Sequence, residues 1–312
     1  MNGAARPKNV LVTGAAGFIA SHLVTRLATA YPHYKVVGVD KMDYCSSIRN
    51  LDAVVNCANF KFIKGNVISI DLMRYLMHSE AIDTVVHAAA DSHVENSFRN
   101  GLAFTDNNVV GTHALLESAR ECGVRRFVYI STDEVYGPSR RGDRARVEND
   151  ALLPTNPYAA TKAAAEAIAR SYWSSFSVPV IITRGNNVYG PHQYPEKVIP
   201  KFIRNLLANE ACCVHGDGSS SRNFMHVTDV VAAIDTVLHC GQDGQVYNIG
   251  TDDEITILQL ARELARLTKP SRAVPDRPAE LVTFVQDRRC NDACYHIDSS
   301  KLHLLGWRQQ VR

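Results

Sequence analysis

Five side chains that can transfer protons occur within one short stretch, between residues 129 and 162. Thr132, Asp133 and Glu134 follow an apolar run that predicts a buried strand, so they would lie at its carboxyl end. A predicted helix begins with Asn156 as its cap and Pro157 at its first position. Tyr158 and Lys162 are four residues apart in this helix, which places them on one helix face. These groups together predict a site for acid–base chemistry. The alternative for the Asp-Glu pair is an ordinary acidic loop or helix start, which fits the neighbouring Tyr-Lys pair less well.

The N-terminal residues predict a dinucleotide site beside these groups. An apolar strand leads into Gly14 and Gly17 and then into a helical pattern, the order that a dinucleotide fingerprint requires, with Ala20 in place of the third glycine. The glycines allow the backbone and the helix N-terminus to approach a pyrophosphate. A purely structural turn is the alternative, and the end of the next strand decides against it. Asp40 lies there, roughly 20 residues on, where a carboxylate binds ribose hydroxyls and repels a 2′-phosphate. NAD is therefore predicted over NADP, with Lys41 softening that preference.

Strand and helix patterns alternate along the chain as far as residue 184. This alternation predicts an α/β fold, a Rossmann-type doubly wound parallel sheet whose ligands bind at the carboxyl ends of the strands. The fourth strand ends in three alanines at residues 88–90, as expected where a backbone passes under a cofactor. We assign residues 1–184 to an NAD-binding domain with the catalytic residues. Residues 185–312 would mainly form a smaller lobe over that edge, with some strands and helices returning to the large domain.

Composition and charge exclude several other classes. The 312 residues are 46% hydrophobic and 21% charged, with a net charge of +2, which is typical of a soluble globular protein. Basic residues are scattered, so we expect no nucleic acid partner, and no apolar run of about 18 residues predicts a membrane span. The N-terminus lacks a secretory signal, and the eight cysteines lack zinc spacing, so we expect reduced thiols in the cytoplasm.

Two further groups of residues could suggest other binding sites. The four arginines of the loop over residues 137–153 are interpreted as a solvated loop rather than an anion site. His87, Asp91, His93 and Glu95 do not share one face of an element, so we expect no metal.

The glycine motif, Asp40 and Tyr158-x3-Lys162 resemble the extended short-chain dehydrogenase/reductase superfamily. The segment Thr132-Asp-Glu-Val-Tyr-Gly is similar to the nucleotide-sugar 4,6-dehydratases, because epimerases and decarboxylases usually carry small residues after the serine or threonine. Further motifs look like UDP-glucose 4,6-dehydratase, the N-terminal activity of eukaryotic UDP-rhamnose synthases, with dTDP-glucose 4,6-dehydratases as near neighbours. Those motifs begin at Gly14, Asp40, Thr183, Pro195 and His215, and the similarity extends from about Lys8 to Trp307.

The resemblance implies a mechanism for the five proton-transferring side chains between residues 129 and 162. Tyr158, with its pKa lowered by Lys162 and by the nicotinamide charge, takes the proton of the sugar 4-hydroxyl while hydride passes to NAD. Glu134 then removes the 5-hydrogen, and a protonated Asp133 delivers a proton to the departing 6-hydroxyl. NADH returns the hydride to carbon 6, which leaves a 4-keto-6-deoxy sugar. Thr132 would hydrogen-bond the 4-oxygen.

The same motifs imply two sets of ligand contacts. For NAD, besides Tyr158 and Lys162, they are Gly14, Ala16, Gly17, Phe18, Ile19, Asp40, Lys41, Asn66, Val67, Ala88, Ala89, Ala90 and Asn108. For the substrate they are Ser92, Thr132, Asn187, Lys197, Arg222 and Arg288, in a lobe that would mainly bind the nucleotide sugar. Without the resemblance, Arg222 could equally form a surface ion pair. Asn66 and Cys294 stand where relatives commonly have aspartate and arginine.

The resemblance also implies partners and leaves alternatives. UDP-glucose is the favoured substrate and dTDP-glucose the alternative, and the family forms homodimers through helices near residues 105–122 and 157–173. A downstream epimerase/reductase would use the product. The chain ends before the usual final helix, so we expect either a truncated chain or one domain of a longer protein.

The rival functions are a nucleotide-sugar 4-epimerase or decarboxylase, which Asp133-Glu134 disfavours, and an inactive NAD-binding scaffold, which the intact Tyr158 and Lys162 disfavour.

Overall fold

The computed structural model describes residues 8–139, 142–268, 282–286 and 294–311. In this part of the chain the strands are β1 Asn9–Thr13, β2 Lys35–Asp40, β3 Phe60–Lys64, β4 Thr84–His87, β5 Arg126–Thr132, β6 Val180–Gly185, β7 Asn187–Tyr189, β8 Cys212–His215, β9 Ser221–His226, β10 Val246–Ile249, β11 Glu254–Thr256 and β12 Val282–Val285. The α-helices are α1 Phe18–Ala30, α2 Ile70–Ser79, α3 Val94–Arg99, α4 Gly101–Thr105, α5 Gly111–Glu121, α6 Pro157–Phe176, α7 Val198–Leu207, α8 Val227–Cys240, α9 Ile257–Thr268 and α10 Ser300–His303.

A parallel sheet of seven described strands forms the centre of the molecule, in the order β10-β6-β5-β4-β1-β2-β3. The chain moves outward in one direction from β1 to β3 and in the other from β4 to β6. This reversal opens a crevice at the carboxyl ends of β1 and β4, where doubly wound sheets bind ligands. The predicted Rossmann-type fold is confirmed. The strand β10 comes from the C-terminal part of the chain and completes this sheet.

The central strands are mainly apolar because the sheet is buried there on both faces, whereas the edge strand β3 carries two exposed lysines. In β1, Val10 and Val12 pack on the face covered by α1 and α8, whereas Leu11 packs on the face covered by α2, α5 and α6. The segments after residue 185 add two small sheets, β11-β9-β7 and β12-β8. None of the helices within the described ranges has the length and apolar character needed to cross a bilayer.

A buried polar network fixes the helix α6 against the sheet. The guanidinium of Arg184, in β6, forms an ion pair with Glu166 of α6, with 2.6 Å between Nη2 and Oε2, and both side chains are fully buried. Arg184 also donates to the hydroxyl of Tyr136 at 2.7 Å, and that hydroxyl donates to Asn248 of β10 at 2.8 Å. These bonds connect α6, which carries Tyr158 and Lys162, to β6, to β10 and to the turn that holds Asp133 and Glu134.

Candidate active site

A cleft of about 720 Å³ lies at the carboxyl ends of β1, β2 and β4. Its size is that of a typical small-molecule site. Most residues assigned to NAD line it: Gly14, Gly17, Phe18, Ile19, Asp40, Lys41, Asn66, Val67, Ala88, Ala89, Ala90, Tyr158 and Lys162. The sequence assigned these residues from separate segments, and the fold brings them to one cavity.

The glycine turn is shaped for close contact with a ligand. Gly14 has a φ of +71°, and a Cβ there would lie 2.9 Å from the Cα of Ala89 in the loop after β4. Only glycine fits such a position without strain. Helix α1 begins directly after Gly17, and no side chain caps its first turn, so its N-terminus can receive an anion. This cradle fits the pyrophosphate of NAD.

The carboxylate of Asp40 is held in place by the same turn. Its Oδ2 accepts a hydrogen bond from the N–H of Ala16 at 3.0 Å, and its Oδ1 accepts one from Met42 at 2.7 Å. The neighbouring ammonium of Lys41 pairs with Asp43 at 2.9 Å and with Asp91 at 3.0 Å. Because two carboxylates already neutralise Lys41, it offers little to a 2′-phosphate, and the site retains the preference for NAD that Asp40 predicts.

Two residues assigned to NAD support the cleft from behind rather than line it. Ala16 is fully buried and acts through its backbone bond to Asp40. The amide of Asn108 exchanges hydrogen bonds with the backbone of Asp91, at 2.8 and 3.0 Å, and donates to Thr161 of α6 at 3.0 Å. Asn108 lies in a π-helical turn between α4 and α5, a deviation common near functional sites.

The carboxyl group of Asp133 lies at the end of β5, in the first residue of a short 3₁₀ turn. Its Oδ2 accepts a hydrogen bond from Nδ2 of Asn186 at 2.6 Å, and its Oδ1 accepts one from the hydroxyl of Thr132 at 3.2 Å. Only 3% of the residue is exposed. Burial, and next the charge of Glu134, raise the pKa of Asp133 to about 7. Near neutral pH this group can therefore hold a proton and donate it.

The neighbouring carboxylate of Glu134 has a different partner. Its Oε2 accepts a hydrogen bond from Nδ2 of Asn156 at 2.9 Å. Asn156 also caps α6, because its Oδ1 accepts the N–H of Ala159 at 2.8 Å, as the sequence predicted. Glu134 is thus connected to the first turn of the helix that carries Tyr158.

Tyr158 and Lys162 both point from α6 toward the cleft. The ammonium of Lys162 donates to the carbonyl of Ile130 at 2.6 Å and lies 4.2 Å from the ring centre of Tyr129. Burial lowers the pKa of Lys162 to about 7. Burial, and then the negative charges of Glu134 and Asp133, raise the pKa of Tyr158 well above its usual range. The net effect of the protein's own groups on this pKa is therefore upward, and a lowering by Lys162 together with the nicotinamide charge stays a prediction.

The residues assigned to the substrate occupy two places. Ser92 and Lys197 line the cleft, and the ammonium of Lys197 donates to the carbonyl of Ser92 at 3.1 Å. Asn187 and Arg222 lie on the adjacent strands β7 and β9, outside the cleft lining. Arg222 stacks on the ring of Tyr295, 5.3 Å from its centre, and its charge acts on Asp133. Arg288 lies outside the described residues.

Two residues that had not been assigned a role in the site contact the catalytic carboxyl groups. The sequence predicts Asn156 only as a helix cap, and it assigns to the substrate Asn187 rather than the adjacent Asn186. The available signal was position, since Asn186 directly follows the buried strand β6, whose end lies beside the end of β5. His87 is explained by its buried hydrogen bonds to Thr13 and Thr112, and no cluster of three or more possible metal ligands occurs in the described ranges.

Comparison with known proteins agrees with this site. Residues 10–250 match the model of the NAD dependent epimerase/dehydratase family. The dTDP-D-glucose 4,6-dehydratase of Bos taurus is 50% identical over 304 residues, which are 97% of this chain and 85% of the relative. A trifunctional UDP-glucose 4,6-dehydratase/UDP-4-keto-6-deoxy-D-glucose 3,5-epimerase/UDP-4-keto-L-rhamnose-reductase of Arabidopsis thaliana is 49% identical over 309 residues. Those residues are 98% of this chain but only 45% of that protein.

Among solved structures, the dTDP-glucose 4,6-dehydratase DesIV of Streptomyces venezuelae, with NAD and TYD bound, superimposes with a TM-score of 0.89. It shares 38% identity and covers 97% of this chain, which in turn covers 92% of DesIV. The chain belongs to the NAD dependent epimerase/dehydratase family, within the extended short-chain dehydrogenases/reductases. Within that family it is an NAD-dependent hydro-lyase of the nucleotide-sugar 4,6-dehydratase class, as its sequence predicted.

Proposed function

We propose that the protein converts UDP-glucose to UDP-4-keto-6-deoxyglucose and water, the first step of UDP-rhamnose synthesis. The observation that carries the dehydration is the pair Asp133 and Glu134, whose adjacent carboxyl groups have different environments beside Tyr158. An epimerase needs the tyrosine, whereas the loss of water needs a base at carbon 5 and an acid at the departing hydroxyl.

Each residue has one task in this reaction. NAD, when bound, supplies a hydride acceptor that is restored within each cycle, so the reaction has no net redox change. Tyr158 accepts the proton of the 4-hydroxyl, and Thr132 hydrogen-bonds the same oxygen. Glu134 takes the proton from carbon 5, and Asp133 gives its proton to the oxygen leaving carbon 6 as water. Lys162 holds the helix side of the site through its bond to Ile130.

The choice of UDP over dTDP is supported by the motifs that look like UDP-glucose 4,6-dehydratase and by the Arabidopsis relative, which matches 98% of this chain. The nearly equal identity of the Bos taurus relative makes dTDP-glucose the second candidate. The two bases differ by one methyl group, which typically changes kcat/KM by about 10–200-fold. We therefore expect a preference for UDP-glucose of at least about tenfold.

The test is to measure kcat/KM with UDP-glucose and with dTDP-glucose, following the keto product. A faster reaction with dTDP-glucose would overturn the UDP assignment. The absence of keto product from both sugars, in enzyme that holds NAD, would overturn the dehydratase function itself.

We further propose that residues 185–312 mainly bind the nucleotide sugar and that the protein is a homodimer. The dimer is supported by exposed apolar side chains on or beside the helices near residues 105–122 and 157–173. These are Leu102 of α4, Val110 before α5, and Trp173 and Phe176 of α6. Light scattering that gives only a monomeric mass would refute the dimer. A separate epimerase and reductase would consume the product, because it leaves this site as a ketone.

A further inference from the structure

Each carboxyl group of the Asp133-Glu134 pair accepts a hydrogen bond from the amide of one asparagine. Asn186 donates to Oδ2 of Asp133 at 2.6 Å, and Asn156 donates to Oε2 of Glu134 at 2.9 Å. The two asparagines adjoin different elements: Asn186 follows β6, and Asn156 caps the N-terminus of α6. Both are buried, with 5% and 6% of their surfaces exposed.

Backbone N–H groups fix the orientation of both amides. The Oδ1 of Asn156 accepts the N–H of Ala159 at 2.8 Å, and the Oδ1 of Asn186 accepts the N–H of Thr251 at 3.1 Å. A backbone N–H can only donate, so each amide must place its oxygen there and its NH₂ on the catalytic carboxyl group. Rotating either amide by 180° would place donor against donor.

We propose that Asn156 and Asn186 are positioning residues: Asn156 keeps Glu134 charged for its role as base, and Asn186 determines which oxygen of Asp133 carries the acidic proton. The NH₂ group of Asn156 stabilises a charged Glu134, which keeps an electron pair available for the proton on carbon 5. At Asp133 the NH₂ group of Asn186 occupies Oδ2 as a donor. The proton must then lie on Oδ1, because its partner there, Oγ1 of Thr132 at 3.2 Å, is a hydroxyl that can rotate and accept instead of donate.

The consequence is a direction for proton delivery. Thr132 is the residue expected to hydrogen-bond the sugar 4-oxygen, so an acidic proton on the Thr132 side of Asp133 faces the substrate. A proton on Oδ2 would face the end of β6 instead. The other charges that act on Asp133 are those of Glu134 and Arg222.

The test uses variants that keep the acceptor for the backbone N–H and remove the amide donor. Asn156→Ser keeps a good helix cap but is too short to reach Glu134. Asn186→Asp keeps the shape and the acceptor for Thr251 but places a second carboxyl against Asp133. Asn59→Ser is the matched control, because the Asn59 amide donates to the carbonyl of Ala28 at 3.0 Å, away from the cleft.

The readouts are deuterium exchange at carbon 5, the absorbance of bound NADH and the pH dependence of kcat. Asn156→Ser should slow exchange at carbon 5 about tenfold, the usual effect of losing a hydrogen bond to a charged group, and move the acid limb of the profile upward. Asn186→Asp should slow water loss by about tenfold or more, accumulate bound NADH and move the alkaline limb upward, because the paired carboxyls share a proton.

The proposal would be overturned if the acid and alkaline limbs of the kcat–pH profile stayed at their wild-type positions in both variants, or if Asn59→Ser gave the same changes. A merely structural role would lower kcat without moving either limb. Folding is checked by thermal melting, and Asn186→Ser replaces Asn186→Asp if that variant does not fold. The proposal rests on the proposed dehydration but not on whether the nucleobase is uracil or thymine. The assay therefore uses whichever nucleotide sugar the wild type converts faster. A preference for dTDP-glucose would overturn the UDP assignment alone, whereas conversion of neither would overturn both.

Discussion

Replacing Asp133 with asparagine should inactivate the enzyme and make the protein more stable at high pH. The side chain is 3% exposed, and burial together with the Glu134 charge raises its pKa from 3.8 to about 7. In Asp133→Asn the amide oxygen can accept the hydrogen bond from Asn186 that Oδ2 of Asp133 accepts, and the new NH₂ group can donate to Thr132. The variant therefore removes the charge while the hydrogen-bond partners remain.

The size of the effect follows from the two pKa values. A difference of about three between the folded and unfolded states, at 1.36 kcal/mol for each, corresponds to about 4 kcal/mol. The folded pKa is the higher one, so the unfolded chain releases its proton first. The contribution of Asp133 to stability is therefore full below about pH 4 and is lost as the pH rises toward 7. Asp133→Asn should then exceed the wild type by about 4 kcal/mol at pH 8 and by only about 1.5 kcal/mol at pH 5.

The assay is urea unfolding at pH 5 and pH 8, with both proteins saturated with NAD. Asp235→Asn is the control, because this aspartate is also buried but pairs with Arg26 at 2.7 Å and His239 at 3.0 Å. Burial opposes ionisation of Asp235, yet the bonds from His239 and Arg26 lower its pKa, so its neutralisation should destabilise the protein. An Asp133→Asn protein no more stable than the wild type at pH 8, or an advantage equal at both pH values, would refute the reasoning.

Three further predictions concern the Asp133-Glu134 pair and the buried ion pair of Arg184 with Glu166. Glu134→Gln should reduce exchange of the 5-hydrogen with deuterated solvent by about 10²-fold or more, and unchanged exchange would exclude Glu134 as the base. In the wild type, the rate of water loss should fall tenfold per pH unit above about pH 7, as Asp133 loses its proton, and a flat profile from pH 6 to 9 would contradict this. Arg184→Met should cost about 3–5 kcal/mol in urea unfolding because it leaves Glu166 charged and buried, and a loss below 1 kcal/mol would be inconsistent with that role.

The sequence was sufficient for the fold because its signals are local and repeated. Each central strand is a short apolar run buried on both faces, and each is followed by a helical pattern, so the order of elements could be read directly. The position of the cleft could be predicted equally well. Gly14 directly follows β1, Asp40 ends β2, and the carboxyl ends of parallel strands lie at one edge of the sheet. The cap at Asn156 followed from its place before Pro157.

Contacts between distant segments could not be predicted in this way. Lys41 was expected to soften the preference for NAD, but it pairs with Asp91, 50 residues further on. The bond between Asn186 and Asp133 spans 53 residues and depends on how closely β5 and β6 end beside each other. The upward effect of burial on the pKa of Tyr158 could not be predicted for a related reason, because spacing shows which charge is near but not how much water burial removes.

The division of labour between Asp133 and Glu134 depends on the turn that holds them. A 3₁₀ helix has three residues per turn, so two successive side chains point about 120° apart. Because the turn over residues 133–136 starts directly at the end of β5, it directs Asp133 toward the end of β6 and Glu134 toward the start of α6. In an extended or exposed segment, the same dipeptide would present two solvated carboxylates with ordinary pKa values and no distinct roles. A proton donor and a proton acceptor thus arise from adjacent acidic residues because the fold gives each a different partner.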